Sequence, residues 1–428
     1  MKIMIANYRF FISGGPERYM FNSIDALKKI NHVIIPFSID YNINKKNSYQ
    51  KYFPSPLCHT NAVYFHDHKF SFRTLLKTIS RLFYSTEAKS CADRIISDTK
   101  PDVAYVLNYL RKLSPSLLVA LKSNNIPIIV RISDFSMLCP QGHCFRDGSP
   151  CELCLSGNIC HSIFNKCVHN SYIASFLNAI ATIYHRKKRF FDLIDHFVVT
   201  NPFIYKLMIN AGYPSHRIKI IPTFVDSFFF KPIETSRSHV RTFIYSGRLE
   251  FTKGVHVVLR AFGNLKLINP DLHFQLLIAG SGSPKYINFL NKICSDYEID
   301  NSVRFLGQLN KKELAFSLNS AQIGIVPSLW YENLPNALLE CFASGLPVIA
   351  SDIGSLSYCI ENNINGILFP AGDHEKLCEI LQFCMQNPET VSFMSQQARK
   401  IALKKFSKLD HISKLTKLFS EIISRKNL

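Results

Sequence analysis

Two glutamates eight positions apart, Glu332 and Glu340, lie in the stretch Val326-Pro-Ser-Leu-Trp-Tyr-Glu-Asn-Leu-Pro-Asn-Ala-Leu-Leu-Glu340. Glu332 precedes a helix that Pro335 can start, because proline suits a first turn. Glu340 falls inside that helix. Ala337, Leu338, Cys341 and Phe342 can form its buried face, while Asn336 and Glu340 project roughly the other way. The two carboxylates can then reach two parts of one extended ligand. Unpaired backbone N–H groups near Asn333 and Leu334, at the helix start, can receive a diphosphate.

A second stretch, Tyr245-Ser-Gly-Arg-Leu-Glu-Phe-Thr-Lys-Gly254, places two cations after a strand. Gly247 permits close approach of a ligand to the backbone. Arg248 and Lys253 are placed to neutralise a leaving diphosphate, a task that then needs no divalent metal. A third piece, Asn7 to Glu17, contains Gly14-Gly15-Pro16-Glu17 between a strand and a helix, where phosphate or sugar can again come close. It lacks the Gly-x-Gly-x-x-Gly fingerprint. Each piece alone also has a plain structural reading. Carboxylates are common in first helical turns, and isolated Arg and Lys are mostly surface cations. Trp330, the sole tryptophan, fits either a core anchor or a cleft wall.

The elements that would position these groups alternate along the chain. Ile3–Ala6, His32–Phe37, Val103–Leu107, Ile126–Arg131, His196–Val199 and Ile218–Ile221 read as strands, with helices at Pro16–Leu27 and Ser171–Phe191. The rhythm restarts at Thr242, with strands at Phe243–Tyr245, His273–Ala279, Val303–Phe305, Ile323–Val326 and Val348–Ala350, and a helix at Gly254–Phe262. Such alternation predicts parallel sheets covered by helices on both faces. The expected fold is α/β, with two Rossmann-like doubly wound domains facing each other across a cleft. The first would span 1–225, the second 238–405, with a linker around Asp226–Arg237 where Pro232 and polar residues gather. A basic amphipathic helix at 410–428 would pack back on the first domain. Ligands bind beyond the carboxyl ends of such strands.

Taken in this order, the three pieces resemble glycosyltransferase family 4, the retaining GT-B enzymes. Glu332 and Glu340 match that family's Glu-seven-residues-Glu hallmark. Ala279-Gly-Ser-Gly282, Val303-Arg-Phe-Leu-Gly307, Gly345-Leu-Pro-Val-Ile-Ala-Ser-Asp352 and Asn365-Gly-Ile-Leu-Phe369 resemble its accompanying motifs. The resemblance implies a sugar donor linked to UDP or GDP and no cofactor for catalysis. It implies that Glu332 holds the donor sugar, Glu340 receives the ribose hydroxyls, Arg248 and Lys253 bind the diphosphate, and Gly15 lies under phosphate or sugar. It also implies transfer with retention, the leaving phosphate assisting deprotonation of the acceptor. Two positions depart from the pattern. Ser133-Asp134 stands where relatives carry His-Asp, and Gly354-Ser355-Leu356-Ser357-Tyr358 replaces a Gly-Gly-Glu segment, with Tyr358 as the difference near the nucleotide or sugar.

Six cysteines crowd the segment 139–167: Cys139, Cys144, Cys151, Cys154, Cys160 and Cys167. Cys151-Glu-Leu-Cys154 has zinc-knuckle spacing, and a structural zinc would clip a long loop. Some members of the family resemble the chain here, which selects Cys139, Cys151, Cys154 and Cys167 as the metal ligands. Buried or free thiols are the other reading.

The formal net charge of +19 over 428 residues calls for an anionic partner. Two basic, aromatic segments stand out in the first domain, Lys69–Tyr84 and His185–Phe191. They suggest peripheral contact with an anionic membrane that carries a lipid-linked or glycan acceptor, unless they are ordinary helices with apolar inner faces. The start lacks a secretory h-region and no stretch reads as a membrane span, so the chain is expected in the cytoplasm, at the inner face of the membrane. The function expected from the whole is polysaccharide biosynthesis. A basic zinc-containing nucleic-acid binder would leave Glu332, Glu340, Arg248 and Lys253 unexplained, and no nucleic-acid motif supports it. Another two-domain enzyme, such as a nucleotide-sugar epimerase, fits the motif order less well.

Overall fold

The computed structural model describes residues 1–57, 71–233 and 241–426. Lys69, residues 234–237 of the expected linker and residues 427–428 lie outside this set.

The first sheet is built from β1 (Lys2–Ala6), β2 (Val33–Phe37), β3 (Val103–Val106) and β4 (Ile128–Arg131). A small hairpin, β5 (Phe145–Arg146) with β6 (Ser149–Pro150), stands outside the sheet. β7 (His196–Val199) and β8 (Ile218–Ile220) complete the sheet in the order β2-β1-β3-β4-β7-β8, all parallel. The second sheet is made of β9 (Thr242–Ser246), β10 (Gln275–Ala279), β11 (Val303–Gly307), β12 (Ile323–Val326), β13 (Val348–Ser351) and β14 (Gly366–Phe369). Their order is β11-β10-β9-β12-β13-β14, again all parallel.

Strands this apolar survive only when covered on both faces. All four residues are buried in each of β3, β4, β7, β12 and β13. Helices provide the cover, and the two domains keep separate cores. The stretch expected as one helix to Phe191 ends at Lys187, because Arg189 turns left-handed (φ 54°) and opens a 3-10 turn at Phe190–Leu193. The hairpin and β14 were not expected from the sequence.

The last helix, Lys408–Lys426, belongs to the first domain by packing. Ile412, Leu415, Phe419 and Ile422 enter the same cluster as Ile3, Ile5, Met20 and Ile24. His411 Nδ1 is 2.6 Å from the carbonyl of Pro222, and its Nε2 is 2.9 Å from Tyr19 Oη. The chain thus crosses between domains twice, at adjacent points, where Val225 N–H donates to Phe406 O over 3.1 Å.

Candidate active site

At the centre of the second sheet, β9 and β12 are neighbours whose onward chains diverge to opposite sides. A parallel sheet leaves a crevice at such a switch, beyond the strand ends. The loops that leave these two strands carry Lys253 and Glu332. Gly254 lets them lie side by side. Its φ is 72°, and a Cβ there would stand 1.9 Å from Pro327 O. Leu329 N–H donates to Thr252 O over 2.9 Å, which laces the loops together.

Lys253 Nζ consequently reaches Glu332 Oε1 at 2.5 Å. Ser328 Oγ and the Trp330 indole N–H donate to the same oxygen, at 2.8 and 3.0 Å. The Lys253 ammonium also stands 5.1 Å from the Trp330 ring centre. Burial pushes the Glu332 carboxyl up, but the Lys253 charge and the three hydrogen bonds outweigh it and hold the group below its ordinary value. Glu332 is therefore an ion, and all three donors sit on one of its oxygens. Trp330, half-buried, lies against Glu332 and Lys253 and outside the core clusters.

Glu340 lies in the helix Asn336–Ala343, which is capped by Pro335. It does not face solvent as an outward-projecting residue would; it is only 9% exposed. The helix Gly15–Lys29 of the first domain covers it, with Arg18 Nη1 3.7 Å from its Oε1. At that helix's start a Cβ on Gly15 would stand 3.2 Å from Asn336 Nδ2, so the first turns of the two helices abut. Arg9, Ser13 and Glu17 brace the glycine loop from within, with Arg9 Nη1 donating to Ser13 Oγ (2.6 Å) and Ser13 Oγ to Glu17 Oε2 (3.0 Å). Burial drives the Glu340 carboxyl up to about 7, opposed in part by the charges of Arg18 and Lys311.

Several expected residues are placed differently. Asn333 links the domains: its Nδ2 donates to Ile132 O (2.5 Å), and its carbonyl accepts from Thr200 Oγ1 (2.9 Å) and Asn201 Nδ2 (2.5 Å). Leu334 is packed in the core beneath the second sheet. The helix itself begins only at Asn336, so Asn333 and Leu334 are not its first turn. Gly247 already spends its N–H on Ala279 O, at 2.9 Å. Arg248 does not join Glu332. Glu250, two residues on, takes its guanidinium at 2.7 Å, and the side chain stays 59% exposed. Its charge is nevertheless felt by His143. Ser133 Oγ accepts from Arg131 Nη1 (3.0 Å), and the Tyr358 hydroxyl accepts from Lys206 Nζ (2.9 Å) across the cleft.

The cysteine-rich segment lies against the Glu332 loop. The His143 ring lies 5.1 Å from that of Trp330, tilted by 45°, and the Tyr331 hydroxyl donates to Glu152 Oε1 over 2.7 Å. The four-cysteine zinc site is not assembled. Among the described residues, no three His, Cys, Asp or Glu side chains are grouped to hold a metal ion. The thiols have other work. Cys144 donates to Cys139, which holds the Cys139 thiol well below its ordinary range. Cys154 packs as a small apolar residue beside Ile159 and Ala179. Burial, and then the neighbouring thiols, push it up to about 12. These residues do not fit a tetrahedral zinc site. The sequence reading also missed Arg18, Ser328 and Glu152, whose partners are remote or whose residue types carry no motif.

Residues 226–401 match the family model described as "Glycosyl transferases group 1". The glycogen synthase of Mycobacterium tuberculosis is 29% identical over 157 residues, which are 37% of this chain and 37% of that protein. The chain thus spans well under half the length of this curated relative. Sucrose-phosphate synthase from Thermosynechococcus elongatus superposes with a TM-score of 0.74 at 16% identity, covering 99% of each chain. The Anabaena protein HepE, solved in complex with UDP, superposes with a TM-score of 0.68 at 15% identity, covering 98% of this chain and 100% of that one. The fold is therefore GT-B, two Rossmann-like domains facing one another.

Proposed function

We propose that the chain is a group 1 glycosyltransferase of the retaining kind, which moves a sugar from a nucleoside diphosphate to a glycan or lipid-linked acceptor in polysaccharide biosynthesis. The observation that carries the reading is the pair of buried carboxyls on one loop and helix, each beside a cation, Glu332 with Lys253 and Glu340 with Arg18, bracketing the helix start that abuts Gly15. The group 1 match over residues 226–401 supports it, and so does a like fold that binds UDP in HepE.

In this reading Glu340 accepts the ribose hydroxyls, and the start of the helix at Asn336 faces the diphosphate. Lys253 leaves Glu332 in part to neutralise the leaving phosphate, with Arg248 released from Glu250 to assist. Glu332, its second oxygen free of the three donors, holds a hydroxyl of the donor sugar. The bond from the anomeric carbon to the phosphate oxygen breaks. The acceptor hydroxyl bonds to the same face, and its proton passes to the departing phosphate. Cations of the chain itself do the neutralising, without a divalent metal.

Hydrolysis of a panel of UDP- and GDP-sugars, together with thermal shifts by UDP and GDP, tests the proposal. One diphosphate is expected to raise the melting temperature, and its sugar to be slowly hydrolysed. Neither response from any donor sinks it.

A further inference from the structure

The helix Tyr172–Lys187 has two unlike faces. Its inner face, with Ser175, Ala179 and Thr182, is buried against the cysteine-rich segment. On the outer face Ile173 is 74% exposed, Phe176 49% and Ile180 37%, and Tyr172 beside them 58%. Positions 173, 176, 180 and 187 follow helical spacing, so the apolar row ends at Lys187. Phe164, 75% exposed, stands on the short helix packed beside it. Exposed apolar side chains are ordinarily scattered singly; a row of them marks a binding face.

The stretch of chain that carries this helix has charge of one sign, while Asp147, paired with Arg146, is an acidic neighbour from outside it. No Asp or Glu occurs between Glu152 and Asp192, whereas Lys166, Arg186, Lys187, Lys188 and Arg189 do. Lys166 Nζ lies 4.5 Å from the Tyr172 ring centre. Asp192 engages Arg189, and Arg186 turns to the carbonyl of Leu138. Lys187 and Lys188 are exposed.

We propose that this face docks on a bilayer surface that contains anionic lipid, with Ile173, Phe176 and Ile180 entering the headgroup layer and Lys166, Lys187 and Lys188 meeting lipid phosphates. A bilayer offers anions with an apolar layer directly beneath, the same combination that this face presents. An acidic protein would supply anions without that layer. The two basic segments singled out in the sequence contribute unequally: Lys187 and Lys188 flank the row, while Lys77 and Arg81 of the other segment turn to Glu87. The inference extends the proposed function by naming where the membrane of a lipid-linked acceptor is met.

Flotation of the full chain with phosphatidylcholine vesicles, with and without phosphatidylglycerol, tests it. Binding is expected to the anionic vesicles at low salt and to weaken as salt rises. Ile173→Ser with Phe176→Ser should lower partitioning about tenfold. Lys187→Glu with Lys188→Glu should lower it at least roughly tenfold on anionic vesicles and flatten the salt dependence. The thermal shift by nucleotide, unchanged in both variants, shows that the cleft is intact. No flotation at low salt overturns the proposal, as does equal flotation of all three proteins. It is also overturned if self-association of the native chain in sedimentation velocity disappears in the serine variant while flotation persists, since a second copy then covers the face. If flotation behaves as expected and no nucleotide shifts the native protein, the docking proposal stands and the glycosyltransferase reading fails.

Discussion

Glu332 and Glu340 are eight positions apart and equally buried, yet their carboxyls are shifted in opposite directions. Glu332 has a lysine in contact and two further donors on one oxygen, so it stays ionised. Glu340 has an arginine 3.7 Å away across the domain boundary, and burial dominates. The difference teaches that a charge in contact, helped by direct donors, overcomes the burial of a carboxylate where a charge further off does not. It also separates the two by origin. The first is fixed within one domain, whereas the second depends on where the other domain lies.

The comparison breaks most visibly at Lys253. Lys253→Ala should cut donor hydrolysis about 10²–10³-fold, comparable to loss of a key charge-stabilising donor. It should also lower the melting temperature, since Glu332 is left as an unpaired buried charge. Steady-state rates and calorimetry measure both, and an unchanged rate would remove Lys253 from the chemistry.

Glu340 sharpens the contrast through pH. Its folded value, about 7, lies above the ordinary 4.5. The folded protein therefore holds this proton more tightly than the unfolded chain. Its contribution to stability is full below about 4.5 and is lost as pH rises through about 7, a difference of roughly 3 kcal/mol. Glu340→Gln should remove that slope from denaturant titrations between pH 5 and 8. Since ribose hydroxyls donate best to the ionised carboxylate, the thermal shift by UDP or GDP should grow from pH 6 to 8 in the native chain and stay small and flat in the variant.

A milder effect is expected where the helix starts abut. Gly15→Ala presses on Asn336 Nδ2, so KM for donor should rise several-fold while stability changes by less than about 1 kcal/mol. The smallest belongs to the exposed bond between Lys206 and Tyr358. Tyr358→Phe should leave both rate and melting temperature within about twofold and a degree or two. A large loss there would mean that the residue touches the donor.

The sequence made the loops around the first glutamate legible, though not its bonds from Ser328 and Trp330, and left the second's surroundings hidden. Strand rhythm placed β9 and β12, and the spacing of Lys253, Gly254 and Glu332 within short loops was enough to bring them together. Arg18 meets Glu340 over more than three hundred positions, through the docking of two domains, and no local pattern records that. The pairing of Arg248 with Glu250, a carboxylate of the same loop, was not legible, because the pattern there ranks neither Glu250 nor a ligand as its partner. Asn333 carries no charge, and its four cross-domain hydrogen bonds depend on the ends of β4 and β7 arriving opposite it. The cysteines were misread for a different reason. Their spacing is compatible with metal, but a thiol serves equally well as core filler or hydrogen-bond partner, and only the packing tells which.

The helix Lys408–Lys426 fills the groove of the first domain with residues made only after the whole second domain. During synthesis that half therefore waits, with the groove beside Ile3, Met20 and Ile24 bare, until the entire carboxyl-terminal half has emerged. A fragment that stops at residue 225 is expected to be aggregation-prone, and adding the helix in trans should rescue its solubility.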